Sequence, residues 1–157
     1  MRNLLIVLVA LTIVSCNSLK KSNDEKKDEV KTAENTTAEI KAVDMNEIKG
    51  KTWYWVQTIY NNDTKVTPKE KSSFVIFNDE GKLAINGDCN KGSSSYTVNE
   101  KTIEIKPILS TKMYCGDESK ENEFFKNLMA ATVIFTKDGK LYIDLKADSG
   151  TMEFVSE

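Results

Sequence analysis

Short runs in which apolar and polar residues alternate make up most of the chain from about Glu47 to Glu157. Alternation with a period of two predicts β-strands that bury one face. Polar clusters between the runs predict tight turns, at residues 61–63, 78–81, 99–101, 137–140 and 148–150. The side chains expected to point towards a core are Trp53, Trp55, Leu83, Ile85, Ile103, Ile105, Leu141, Ile143, Leu145, Met152 and Phe154. The pattern predicts an antiparallel sheet of hairpins, strongly curled or barrel-like.

One segment departs from this alternation. From Asp117 to Thr132 the apolar residues follow helical spacing, and one stripe is formed by Phe124, Phe125, Leu128 and Met129. Asp117 is placed to accept hydrogen bonds from the first backbone amides of such a helix. Strand character returns at about Val133. We therefore expect an α+β domain, mainly β, with one helix inserted before the last strands.

The N-terminus has the pattern of a lipoprotein precursor. Arg2 precedes an apolar run, Leu4 to Val14, which is too short to cross a hydrocarbon core of ~30 Å. Such a run is typical of a secretory signal peptide. It ends at Ile13-Val14-Ser15-Cys16, which resembles the bacterial lipobox, in which a small residue precedes the lipidated cysteine. We expect cleavage after residues 1–15 and a lipid anchor on Cys16.

Residues 16–46 are predicted to form a solvated tether. Between Asn17 and Met45 the chain has six lysines, seven acidic residues, and no aromatic residue, Gly or Pro. Such a segment buries too little apolar surface to offset its ordering entropy, although Val30 to Ile40 has near-helical apolar spacing. Residues 47–157 would then form the folded domain. Asn17, in place of an Asp after the cysteine, favours the outer membrane, with the domain in the periplasm or at the cell surface.

Composition excludes several classes of function. The chain contains no histidine, so a Ser-His-Asp or Cys-His catalytic site is impossible within it. Its net charge is −2 and its lysines are interspersed with acids, so it offers no basic face for nucleic acid. The sequence also lacks a phosphate-binding loop. We expect a non-catalytic monomer that uses no cofactor and no metal.

Two cysteines remain after Cys16. Cys89 and Cys115 are 26 residues apart and would lie in an oxidising compartment, which favours a structural disulfide. A redox or metal site is the alternative. It has less support because the spacing is not Cys-x-x-Cys and no third thiol or histidine is present.

Several motifs occur in a fixed order along the domain. They are Gly50-Lys51-Thr52-Trp53, Cys89-Asn90 followed by Tyr96, Ile103 to Pro107, Thr111-Lys112-Met113-Tyr114-Cys115, and Glu121 with Phe124 and Leu128. Together they resemble the META family, also called HslJ-like, over about residues 48–155. The chain departs from the family pattern at Asp88 and Ser94, where the family has glycine.

The resemblance implies a curled, partly open barrel with a packed helix. It also implies a bacterial envelope protein, often a lipoprotein and in some members linked to heat or stress responses, with no established enzymatic activity. The favoured hypothesis is a non-catalytic envelope lipoprotein that serves as a binding or envelope-stress module. One alternative is a carrier of a lipid or small apolar ligand, with an interior cavity lined by residues such as Trp55, Phe74 and Met152. The other is an inhibitor or chaperone-like partner of an envelope protein, which predicts a large exposed apolar patch.

Overall fold

The computed structural model describes residues 43–157. The predicted signal peptide, Cys16 and the tether as far as residue 42 lie outside this range. No helix in this range is long enough and apolar enough to cross a bilayer. The elements are α1 (Met45–Ile48), β1 (Thr52–Tyr60), β2 (Lys65–Val66), β3 (Phe74–Phe77), β4 (Lys82–Asn86), β5 (Lys91–Asn99), β6 (Thr102–Ile105), β7 (Leu109–Ser110), α2 (Glu121–Met129), β8 (Ala131–Lys137), β9 (Lys140–Leu145) and β10 (Gly150–Ser156).

The sheet closes on itself. Eight strands follow one another in the order β1-β3-β4-β5-β6-β8-β9-β10, and β10 pairs with β1 along a register from Trp53↔Ser156 to Tyr60↔Gly150. Every pairing is antiparallel, and the short strands β2 and β7 are added to β1 and β5. The expected mainly β fold with one helix before the last strands is confirmed, and the curled sheet is a closed barrel.

The inner face of the barrel carries the residues that alternation predicted. All of the side chains expected to point inward are buried, with at most 6% of their surface exposed, and they belong to one contiguous apolar cluster. A bulge between Trp55 and Gln57 shifts the inward position to Thr58, whose hydroxyl accepts a hydrogen bond from Trp55 Nε1 at 3.1 Å.

The two helices cover opposite ends of the barrel. Near the start of β1, Trp53 Nε1 donates to the carbonyl of Ile48 at 2.9 Å, which holds α1 at the end where the chain enters; we call this the entry end. Near the other end of β1, Asn127 of α2 donates to the hydroxyl of Tyr60 at 2.7 Å. Phe124 of α2 stacks on Trp55 from this second end, which we call the α2 end.

Helix α2 is shorter than its spacing predicted. It begins at Glu121, because Gly116 adopts a left-handed conformation (φ +75°) and residues 116–119 form a turn. The prediction that Asp117 caps the helix is wrong. Asp88, in the loop after β4, accepts from Lys120 N at 3.0 Å and from Ser119 Oγ at 2.7 Å. Ser119 Oγ in turn accepts from the first amide of the helix, Glu121 N, at 3.3 Å.

Candidate functional site

A disulfide joins two segments at the α2 end. Cys89 lies in the loop after β4, and Cys115 lies in the segment from Thr111 to Ser119, which we call the motif loop. The two sulfurs are bonded, with a Cα–Cα distance of 5.7 Å. The predicted bridge is confirmed, and it fixes the middle of the motif loop to the barrel wall.

Asn90 connects the same segments through its side-chain amide. Its Nδ2 donates to Glu121 Oε1 at 2.7 Å and to the carbonyl of Met113 at 3.1 Å. Its Oδ1 accepts from Thr111 Oγ1 at 2.7 Å and from Met113 N at 2.8 Å. Asn90 is 3% exposed, so these bonds replace solvent contacts that it has lost. Asn90 therefore gives the motif loop and the start of α2 a common anchor.

Glu121 is a buried carboxylate held by hydrogen bonds. Only 6% of the residue is exposed, and Oε2 accepts from Asn90 N at 2.6 Å and from Cys89 N at 3.4 Å. Gly87 makes this approach possible, because a Cβ at that position would lie 2.1 Å from Glu121 Oε2. A side chain at residue 87, one place before Asp88, would therefore displace the Glu121 carboxylate from these hydrogen bonds.

One group of possible metal ligands occurs in this network. Atoms of Asp88, Cys115 and Glu121 lie within 4.8 Å of one another. The sulfur is bonded to Cys89, however, and the thiolate is the form that binds metals. Both carboxylates already accept protein hydrogen bonds, so in the disulfide state the cluster acts as a structural network.

The remaining family-motif residues have structural positions. Trp53 and Tyr96 are buried towards the entry end, where the Tyr96 hydroxyl donates to the carbonyl of Asn78 at 3.0 Å. Burial raises the pKa of Tyr96, and the charge of Asp79 raises it further. Pro107 is exposed at the bend between β6 and β7. Phe124 and Leu128 point from α2 into the barrel and are fully buried.

The three residues named for an interior pocket do not surround one cavity. Trp55 and Met152 are buried in the core. Phe74 lies on the outer face of β3, with its ring 5.6 Å from that of Tyr54 in an edge arrangement. The reason is strand alternation, because Val75 and Phe77 point inward and turn Phe74 outward.

A groove of about 1020 Å³ lies between the motif loop and α2. The described residues include five large apolar side chains that are strongly exposed, and four of them line this groove: Leu109 (77%), Met113 (62%), Tyr114 (85%) and Met129 (41%). Phe125 lines it too. The predicted apolar stripe of α2 is therefore divided, with Phe124 and Leu128 in the core and Phe125 and Met129 beside the groove.

Charged side chains of both signs line the groove. Lys112 and Lys126 line it, and neither forms a salt bridge within residues 43–157. Of the two carboxylates in its lining, Asp117 accepts from the hydroxyl of Tyr114 at 2.9 Å, and Glu121 is buried in the Asn90 network.

Sequence reasoning missed most of the groove. The sequence names Met113 and Tyr114 only as parts of a motif, and it gives no prediction for Leu109 or Lys126. A usable signal was present, since the adjacent apolar residues Met113 and Tyr114 stand in a loop where no strand or helix pattern would bury both.

Architecture and site together define a small antiparallel β-barrel, closed at one end by a disulfide-braced helix with an apolar groove beside it. The pattern of the META domain family matches residues 46–157, and the chain belongs to this family. No curated protein matches the sequence.

Two solved structures are similar in fold. A protein from Burkholderia xenovorans, determined by NMR, has a TM-score of 0.61 at 11% identity, covering 72% of this chain and 86% of its own. A crystal structure of a duf4847 family protein from Bacteroides vulgatus ATCC 8482 has a TM-score of 0.54 at 14% identity, covering 71% of this chain and 95% of its own. At these identities the likeness concerns the fold alone.

Proposed function

We propose that the protein is a non-catalytic lipoprotein of the cell envelope, anchored through Cys16, that binds another envelope protein through the groove at the α2 end. The observation that carries the proposal is the concentration of exposed apolar side chains. Four of the five strongly exposed large apolar residues in the described range lie in this one groove. Contiguous exposed apolar surface is typical of interaction sites.

The rigidity of the site supports the same function. The disulfide and the Asn90 network hold the motif loop while leaving Met113 and Tyr114 outside the core. A preorganised surface loses less conformational entropy when a partner binds. The disulfide and the hydrogen bonds of Asn90 would therefore serve to hold the binding surface in shape, and this role requires no catalytic chemistry.

The position of the groove is compatible with anchoring. Val43 and Met45, where the described chain begins, pack against the core, and α1 lies at the entry end. The groove lies at the α2 end, so the start of the domain leaves it unobstructed. The inward-facing side chains form one packed cluster, which favours the groove over the barrel interior as the binding surface.

Site-specific photo-crosslinking in intact cells tests the proposal. A benzophenone amino acid replaces Tyr114 in the full chain, and the same probe replaces Ile59 in a matched control. Ile59 is also a strongly exposed apolar residue, 45% exposed, but it lies on β1 away from the groove. We expect a discrete protein adduct from position 114, lost when Cys16→Ser removes the anchor, and none from position 59.

A second substitution establishes that the groove itself is responsible. Met113→Asp should reduce the adduct by about tenfold, because a buried charge is unfavourable at an apolar contact. Ile59→Asp should leave it unchanged. Equal adduct patterns from both probe positions, or no adduct from position 114, would contradict the proposed function.

A further inference from the structure

Strand β7 has an edge that no strand of the described range covers. It pairs with β5 through Gly92↔Ser110 and Ser93↔Leu109, and β5 is its only partner there. The amide of Thr111 donates to the carbonyl of Lys91 at 3.0 Å. Hydrogen bonding alternates along an antiparallel pair, so the N–H and C=O of Ser110 are directed away from β5.

This edge lies at the groove. Leu109 and Ser110 of β7 line one side, and Phe125 and Met129 of α2 line the other. Strands β6 and β8 are in register at a single position, Thr102↔Val133, and neither strand lines the groove. An added strand would therefore have β7 on one side and the apolar face of α2 on the other.

The charges indicate which kind of strand fits. Lys112 and Lys126 line the groove without a salt bridge in residues 43–157, while its carboxylates already accept protein hydrogen bonds. The lining therefore has two lysines and two carboxylates, and the lysines stand beside apolar side chains without an ion-pair partner in residues 43–157. A segment that supplies ion-pair partners to these lysines combines apolar side chains with carboxylates.

We propose that the groove binds an extended peptide segment of another envelope protein, which pairs with the free edge of β7 and carries apolar side chains next to one or more carboxylates. The proposal rests on the function proposed above and specifies its binding mode. Backbone pairing supplies affinity in such strand addition, and the alternate side chains supply specificity. An apolar lipid would use the same walls without using the backbone edge.

A designed peptide tests the binding mode. The protein is the chain from residue 16 onward with Cys16→Ser, so that no acyl chain competes for the groove. The probe is a fluorescein-labelled decapeptide in which threonine and leucine alternate over eight positions and two aspartates follow. Fluorescence anisotropy measures its binding, and oleate is titrated in parallel. We expect saturable peptide binding that weakens as the salt concentration rises.

Ser110→Pro removes the outward amide while leaving the bonds of Leu109 and Thr111 to β5 in place. It should weaken the peptide about fivefold, the worth of one lost hydrogen bond, whereas Ser110→Ala should leave binding unchanged. The same loss should follow when the peptide is N-methylated at alternate amides. Thermal melting will show whether the proline variant folds. If it does not fold, the N-methylated peptide still tests strand addition with the unsubstituted protein.

Charge exchange tests the second part of the proposal. Lys112→Glu combined with Lys126→Glu should weaken the aspartate peptide about fivefold and favour a peptide ending in two lysines. Lys137→Glu, at the entry end, is the matched control and should change neither.

The outcomes separate this inference from the proposed function. Peptide binding that is insensitive to Ser110→Pro and to N-methylation would overturn strand addition, even if the cellular adduct at position 114 persists. Oleate binding without any peptide binding would overturn the peptide as occupant and assign the groove to lipid.

Discussion

Asn90 links more of the α2 end than any other single side chain in the network described above. Its amide has partners in the motif loop and in α2, and its backbone N–H bonds the same glutamate. Removal of the side chain would leave the buried Glu121 carboxylate and the partly buried Met113 amide with fewer partners. The consequence should be larger than the loss of one ordinary hydrogen bond.

Asn90→Ala should lower the free energy of unfolding by about 2–4 kcal/mol, because the buried Glu121 carboxylate and several partly buried groups lose partners at once. Asn122→Ala is the control. Asn122 lies on α2 next to Glu121 but is exposed, so its loss should change stability by less than about 0.5 kcal/mol. Urea unfolding of both variants measures the difference, and equal effects would show that the network contributes little.

Ser73 presents the opposite case. Ser73 is fully buried, and its hydroxyl has no hydrogen-bond partner in the part of the chain that the structure describes. Ser73→Ala should therefore raise stability, by about 1 kcal/mol. Thr58→Val, which removes an equally buried hydroxyl that accepts from Trp55 Nε1, should instead lower it. Thermal melts that rank the two changes in the other order would contradict this account.

At the level of elements, the disulfide determines how firmly the motif loop is attached. Cys89→Ala, Cys115→Ala and the double substitution should each lower the free energy of unfolding by about 2–4 kcal/mol. The three values should be similar, since either single change removes the whole bond, and a double-mutant cycle will show strong non-additivity. Hydrogen exchange should accelerate in residues 111–125 in particular. Two free thiols in protein isolated from an oxidising compartment would exclude a structural bridge.

The outer face of the barrel contains an ion pair that makes stability depend on pH. Glu153 of β10 accepts from Lys140 Nζ of β9 at 2.6 Å and from Gln57 Nε2 of β1 at 2.5 Å. The bond to Lys140 lowers the pKa of Glu153 most, the bond to Gln57 lowers it further, and burial opposes both. A lowered pKa in the folded state means that Glu153 stabilises the fold above its ordinary pKa of 4.5, and that this contribution is lost as the pH falls.

Glu153→Gln should therefore be less stable than the parent at neutral pH, and its unfolding free energy should change less with pH below about 5. Glu104→Gln is the control, because it removes a largely exposed partner from another lysine pair, Lys106–Glu104. Denaturant unfolding between pH 3 and 7 checks both. If the unfolding free energies of the parent and of Glu153→Gln fall equally with pH below about 5, the Lys140–Glu153 pair contributes nothing to the pH dependence of stability.

For the whole molecule, the two ends of the barrel have different roles. The entry end receives the chain and is covered by α1, while the α2 end carries the disulfide, the Asn90 network and the groove. Nearly all of the stability should come from residues 43–157, because the apolar cluster of the barrel includes Ile48 and also contacts Val43 and Met45.

Truncation to residues 43–157 should accordingly leave the melting temperature unchanged relative to the chain from residue 16. Ile48→Ala in the truncated chain should lower stability by about 2–4 kcal/mol, because a fully buried side chain is removed from the entry end. A truncated chain that no longer melts cooperatively would show that the segment before residue 43 contributes to the core.

The local pattern of the sequence did not predict α1 or β7. It determined the main strands, the faces they bury and the presence of one late helix. It did so because alternation and helical spacing depend on neighbouring residues and on the demand to remove apolar surface from water. Trp53, Leu83, Leu141 and Phe154 are buried as that demand requires. The cysteine pair also followed from composition, and the lipid anchor on Cys16 stays a prediction from the sequence.

Only the tertiary structure decided which segments meet. Closure of the barrel pairs Trp53 with Ser156, and the turn that precedes α2 is held by Asp88, 33 positions before the helix begins at Glu121. The division of the α2 stripe into a core half and a groove half likewise depends on where the disulfide places the motif loop. Local periodicity states which face of an element is apolar. It does not state whether a barrel wall or open space lies opposite that face, because the answer depends on strand twist and on packing between distant parts of the chain.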